Sequence, residues 1–181
     1  MRKKGILLII FLVAWAMSSQ QRYMTKEGYV SFFSHTLVED IKADNNLALS
    51  IIDVEKGEIA IQVLMRSFQF KKALMQQHFN DSYVESHKFP KARFNGQITN
   101  WDANEAQNTE TEIRGILEVH GKEKEISVLA RVEKTAGKIR VYGDFTVEVA
   151  DFDIRIPAVV RNNIAKTIKV TFDLEHEPYT N

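Results

Sequence analysis

The chain is expected to fold as an all-β domain, an antiparallel sheet of about eight strands closed into a barrel, with one short helical insertion. Three observations lead there. Apolar residues recur at a period of two from Tyr29 onward, so each strand has one dry and one wet face. One-sided strands in this number must either close into a barrel or stack as a two-layer sandwich. Glycines fall on the dry face of three strands: Gly96 with Phe94 and Ile98, Gly115 with Ile113 and Leu117, Gly143 with Val141 and Phe145. Each permits a sharp bend or room inside, and together they favour a curved, closed sheet.

The elements follow in order. Met1-Arg-Lys-Lys-Gly5, an apolar run over residues 6–17 and polar Ser18-Ser-Gln-Gln21 have the order of a secretory leader. Ala16 and Ser18 carry the small-residue spacing for cleavage after Ser18, giving a leader over residues 1–18 and a barrel domain over 19–181. Cleavage after Ala16 fits nearly as well. The run falls short of the roughly 20 apolar residues that span a bilayer.

The strongest alternation is in Lys138-Ile-Arg-Val-Tyr-Gly-Asp-Phe-Thr-Val147, and Ile59/Ile61/Val63/Met65, Ile126/Val128/Ala130/Val132 and Ile168/Val170/Phe172/Leu174 repeat it. Weaker strands are expected over 29–35, 38–45, 47–54, 92–99 and 110–119. Turn signals at Glu55-Lys-Gly57, Asn104-Glu-Ala-Gln-Asn108, His120-Gly121 and Ala136-Gly137 separate them, making eight or nine strands. Residues 67–90 break the pattern. Phe70/Leu74/His78 and Met75/Phe79 have helical spacing, Asn80-Asp81 reads as a stop, a second turn is expected near Tyr83 to His87, and Pro90 restarts an extended run.

Composition narrows the function. With 181 residues, 44% of them hydrophobic and 27% charged, the chain buries a full core in one domain. Formal charge is zero, and removing the three leader cations leaves 21 basic against 24 acidic residues, a net of −3 that offers nothing to nucleic acid. The absence of cysteine excludes disulfides, thiol chemistry and a lipid on the cleavage site. In an exported chain it points to a bacterial periplasm or envelope.

Several segments resemble the YceI-like family, whose members are exported or soluble antiparallel barrels that bind polyisoprenoids and related lipids. Gly115-Ile-Leu-Glu-Val-His-Gly121 followed by Lys124-Glu-Ile126 is similar to the family's strand ending in a His-Gly or Lys-Gly turn. Lys88-Phe-Pro-Lys-Ala-Arg-Phe-Asn-Gly96 is similar to the segment leading out of its helical insertion, and Asp151-Phe-Asp-Ile154 to its D-F-G-I turn. Leu74-Met-Gln-Gln-His-Phe-Asn80 and Tyr83-Val-Glu-Ser86 fall where many members carry an Asp-x-His-Leu helix, with different wording here. Val149 replaces a frequent arginine and Asp153 a glycine, so a head-group contact from either is not carried over. The match runs from about Thr25 to Glu177 and implies an elongated apolar cavity in a lipocalin-like barrel.

Catalysis is not expected. None of the histidines, His35, His78, His87, His120 and His176, is paired at metal-ligand spacing, and no cofactor or metal is implied. Ser34 and His35 are adjacent on a strand and face opposite ways. His120 reads as a turn residue, and Glu110, Glu112, Glu118, Glu123 and Glu125 as a solvated face. An enzyme reading, isomerase or hydrolase, requires His78 and Glu85 to converge. A third reading, a packed structural envelope protein, requires an outward apolar patch.

Lipid binding requires no such constellation. Burying a dozen methylenes gains roughly 10 kcal/mol at ~0.8 kcal/mol each, against an association cost of about 4–15 kcal/mol. The expected lining or mouth is Phe32, Phe68, Phe70, Leu74, Met75, Phe79, Phe94, Phe145 and Phe152, with Arg66 and His78 for a polar head group. For each phenylalanine, plain core packing is the competing reading. The expected partner is an apolar small molecule, isoprenoid or fatty-acyl, held in the periplasm, with transient membrane contact and a homodimer both compatible.

Overall fold

The computed structural model describes residues 21–104, 106–135 and 137–179. The leader reading over residues 1–18, and positions 105 and 136 of two expected turns, lie outside the described residues. Among the described residues nine strands occur: β1 (Arg22–His35), β2 (Asp40–Asp53), β3 (Glu58–Leu64), β4 (Gln69–Phe70), β5 (Lys91–Ile98), β6 (Gln107–Val119), β7 (Lys122–Lys134), β8 (Ile139–Glu148) and β9 (Thr167–Tyr179). One six-residue helix, α1 (Ala73–His78), stands between β4 and β5.

All pairings are antiparallel, in the order β1-β9-β8-β7-β6-β5-β3-β2, and β1 pairs back onto β2. Eight strands therefore close the wall, and the two-residue β4 is an appendage on β2 through Ala43↔Phe70 and Asp44↔Gln69. The two strands expected over 38–45 and 47–54 are one. Where the polar Asn45-Asn46 suggested a break, the Asn45 side chain accepts the Leu47 N–H at 2.8 Å and donates to the Leu64 carbonyl at 3.2 Å. The β1 register slips opposite this point, between Gly28 and Val30, so β2 bends without ending.

Closure also explains the glycine pair. Gly96 and Gly115 face each other across β5 and β6. A Cβ on Gly115 would stand 2.2 Å from the Asn95 carbonyl oxygen and 2.5 Å from the Gly96 Cα. These glycines let two backbones approach where the sheet coils, and they do not make room inside.

The strand ends define a base and a mouth. The base carries the β2–β3, β5–β6 and β7–β8 turns. It is plugged by Trp101, whose indole N–H donates to the Val54 carbonyl at 2.7 Å. Lys134 lies over that ring at 5.0 Å and donates to the carbonyls of Asp102 and Ala103 at 2.7 and 2.6 Å. Gly57 closes the neighbouring turn at φ +71°, where a Cβ would also strike Trp101 at 2.5 Å.

Above the plug the interior is solid. Ile52, Ile59, Ile98, Ile139, Val132, Val141 and Leu174 are essentially inaccessible. The fully buried His176 sits among them. Its Nδ1–H donates to the Ile139 carbonyl at 2.9 Å, and its Nε2 accepts from the Ser50 hydroxyl at 2.8 Å. The mouth carries the short β1–β2 hairpin loop, the insertion between β3 and β5, the His120-Gly121 turn and the long connection between β8 and β9.

Candidate functional site

Toward the mouth the same inward faces cease to fill the barrel. Ile61, Phe145, Val147, Ile168 and Val170 are only partly buried, and they wall a cavity of about 330 Å³. Val30, Val63, Ala92, Phe94, Leu117 and Val119 complete the sides. Its polar members are few: Ser31 and Ser34 from β1, Arg93 from β5, and Glu39, His78, Tyr83 and Asn163 from the mouth connections. A hollow this dry gives a ligand apolar burial and very little hydrogen bonding.

Two covers lie over it. The first is the insertion. Helix α1 follows a turn of 3-10 helix at Met65–Ser67 and continues as a wider turn over Phe79–Tyr83, in which the Val84 N–H reaches the Phe79 carbonyl at 2.9 Å. Asn80-Asp81 does not stop the helix as expected, because the Asn80 amide donates to the Gln76 carbonyl at 2.9 Å and the chain coils on. Four phenylalanines hold this cover to β1. Phe32 lies 5.2, 5.6 and 5.3 Å from Phe68, Phe70 and Phe79, centroid to centroid, all within range of aromatic pairing.

The second cover is the β8–β9 connection, with helical turns at Val149–Phe152 and Ala158–Val160. It contributes Val149, Phe152, Ile154, Ile156, Val160, Asn163 and Ile164 to the lining. Asp153 adopts φ +53° and pairs with Lys122 at 2.8 Å. That pairing holds its carboxyl below the ordinary range. Val149 lines the cavity with an aliphatic side chain.

His120 ties the covers together. It is a turn residue at φ +52°, as expected. Its ring also meets the Phe152 carbonyl at 2.9 Å through Nδ1 and Glu85 at 3.2 Å through Nε2, and packs edge-to-face with the Phe89 ring, 4.4 Å between centroids. Glu39 plays a similar part at the other side of the mouth. It accepts from Lys72 at 2.8 Å and from Asn163 at 3.4 Å, and the Lys72 ammonium, then the Asn163 amide, hold its carboxyl below the ordinary value.

Of the residues singled out from sequence, Phe32, Phe68, Phe70, Met75, Phe79, Phe94, Phe145, Phe152 and His78 border the cavity. Leu74 and Arg66 do not. Leu74 is 61% exposed on the outer side of α1, and Arg66 donates to the Ser86 hydroxyl at 3.3 Å. The helix begins at Ala73, so Phe70 belongs to β4 and its phase does not carry over to Leu74. Of the second cover, sequence reasoning named only Phe152 as lining and missed Ile154, Ile156, Val160, Asn163 and Ile164.

The two pairings weighed for catalysis, His78 with Glu85 and Ser34 with His35, do not form among the described residues. Glu85 is engaged by Lys88 at 2.5 Å and by His120, and among the described residues no hydrogen bond joins it to His78. Ser34 faces inward and accepts the Ala165 N–H at 2.8 Å, while His35 faces out to Asp40 at 2.6 Å. Among the described residues no three His, Cys, Asp or Glu side chains are grouped to hold a metal, and no helix is long and apolar enough to cross a membrane.

The family described as the YceI-like domain matches residues 21–176. A polyisoprenoid-binding domain from Saccharophagus degradans, implicated in plant cell wall breakdown, superposes with a TM-score of 0.75 at 16% identity, over 87% of this chain and 98% of its own. BcnA of Burkholderia cenocepacia gives 0.69 at 15% identity, over 82% and 95%. The YceI protein of Campylobacter jejuni gives 0.64 at 14% identity, over 81% and 90%. At these identities the three share the fold. A comparison with curated proteins returned no match.

Proposed function

The chain belongs to the YceI-like family, and we propose that it holds one long apolar chain, isoprenoid or fatty-acyl, in the hollow half of its barrel, as an exported binding protein and not a catalyst. The observation that carries this reading is the interior space of about 330 Å³ walled by aliphatic and aromatic side chains. The named ligand class of the Saccharophagus degradans domain points the same way. Affinity then comes from methylenes withdrawn from water, at ~0.8 kcal/mol each. With Val149 in place of a cation, the mouth selects chain length more than head-group charge. The leader-like first 18 residues support export to a periplasm.

Native mass spectrometry of the protein purified without detergent, followed by lipid extraction, tests the reading. A bound species carrying a long hydrocarbon chain is expected. Recovery of apo protein only, together with failure to take up added polyprenyl or fatty-acyl lipid, overturns it.

A further inference from the structure

We infer that the mouth end of the barrel is a docking surface for a bilayer with anionic head groups. Four large aliphatic side chains project into solvent there: Leu37 at 103% and Val38 at 64% exposure on the hairpin loop, Leu74 on α1, and Val159 at 90% on the second cover. They come from three separate connections, and three of them immediately precede a residue that lines the cavity. Val38 precedes Glu39, Leu74 precedes Met75, and Val159 precedes Val160. Contacts at Glu39 bring these connections together, since its carboxylate holds Lys72 beside α1 and Asn163 of the second cover. The four side chains are therefore a rim around the opening. Other exposed aliphatics, such as Ile116 and Leu129, sit singly on the wall opposite Glu125 and Glu112.

Charge selects the occupant. Four rim acids, Glu39, Glu85, Asp151 and Asp153, are matched by Lys72, Lys88, Lys124 and Lys122, and Asp40 is hydrogen-bonded to His35. Lys71, Arg155, Arg161 and Lys166 are exposed on the same end and form no ion pair among the described residues, against Asp81, Glu123 and Glu148, so a chain whose net charge without its leader is −3 has a small cationic excess at its rim. Aliphatic tips amid unpaired cations are what an anionic lipid surface takes up, the tips entering the acyl boundary and the cations meeting phosphates. A second copy fits poorly, because rim-to-rim pairing sets like charges against each other. The proposal rests on the cavity reading in one respect: a lipid entering or leaving through this opening passes directly between barrel and membrane.

Flotation of the full chain with vesicles of equimolar phosphatidylglycerol and phosphatidylcholine, against phosphatidylcholine alone, tests it. Binding to the anionic vesicles is expected. The double variant Leu37→Ser/Val159→Ser weakens it by at least about tenfold, from the lost apolar insertion, and Arg155→Glu/Arg161→Glu abolishes the preference for anionic lipid. Both variants alter exposed side chains, and unchanged thermal unfolding serves as the folding control. Absence of flotation, flotation indifferent to Leu37→Ser/Val159→Ser, or a dimer in sedimentation velocity that these substitutions dissociate, overturns the proposal. Native mass spectrometry on the same samples separates the two readings. Protein that carries lipid but does not float loses the docking surface alone, and protein that floats but never carries lipid loses the cavity reading alone.

Discussion

The base and the mouth of this barrel are built from the same strands and the same kinds of side chain, yet one half is solid and the other hollow. Strand β8 passes through both. Ile139 and Val141 at its start are wholly buried, whereas Phe145 and Val147 on the same face are partly accessible and border the cavity. The difference lies in what closes each end. At the base, Trp101 and the stem of Lys134 turn inward and a hydrogen-bonded histidine fills the axis. At the mouth, the chain spends its aromatic residues on covers that pack on one another. Stability and binding capacity are therefore written into different halves.

The most direct way to break that division is to make one substitution twice. Ile139→Ala removes three carbons, two methyls and a methylene, from the filled half and is expected to cost about 2–5 kcal/mol in urea unfolding. Ile168→Ala, on the hollow half, is expected to cost about 1 kcal/mol or less, because its side chain already faces open space. Equal costs end the distinction.

A second test uses the buried imidazole. Burial depresses the His176 pKa from about 6.5 to about 4, while its hydrogen bond to the Ile139 carbonyl opposes the shift. The unfolded chain then binds a proton that the folded chain refuses between those values. Stability is full above about pH 6.5, falls as the pH drops toward 4 and levels off below it, for a total loss of about 3 kcal/mol. Chemical unfolding from pH 7 to 4 measures this, and His176→Asn removes that component of the slope. A wild-type profile flat over the window means that His176 is protonated inside the base and that the base is wetter than described.

The third and smallest effect sharpens the comparison. Val141→Phe overfills the base and is expected to cost about 1–3 kcal/mol. Val147→Phe, six residues on along the same face, fills space that is already empty. It is expected to leave stability within about 0.5 kcal/mol while lowering the lipid recovered in native mass spectrometry.

Much of the wall was legible because a period of two is hard to mistake, and a single dry face per strand leaves closure as one of two options. The failures have physical causes. Asn45 supplies with its side chain what the ladder lacks at a bend, so a polar pair that reads as a loop is strand. Leu74 was placed inward by extending a helical phase back to Phe70, which is extended chain. The second cover has neither period, since short helical turns alternate with extended pieces. The height at which the barrel becomes hollow was illegible, because Ile139 and Ile168 look alike in a sequence and differ only in what stands across the axis from them.

The ring of strands has no free end: β1 is bonded to β9 on one flank and to β2 on the other. On the proposed reading, a ligand reaches the hollow through the mouth, with no rung of the wall opened. Amide protons in the middle of the wall then exchange through global unfolding, so a ligand that binds only the folded barrel slows their exchange with deuterium.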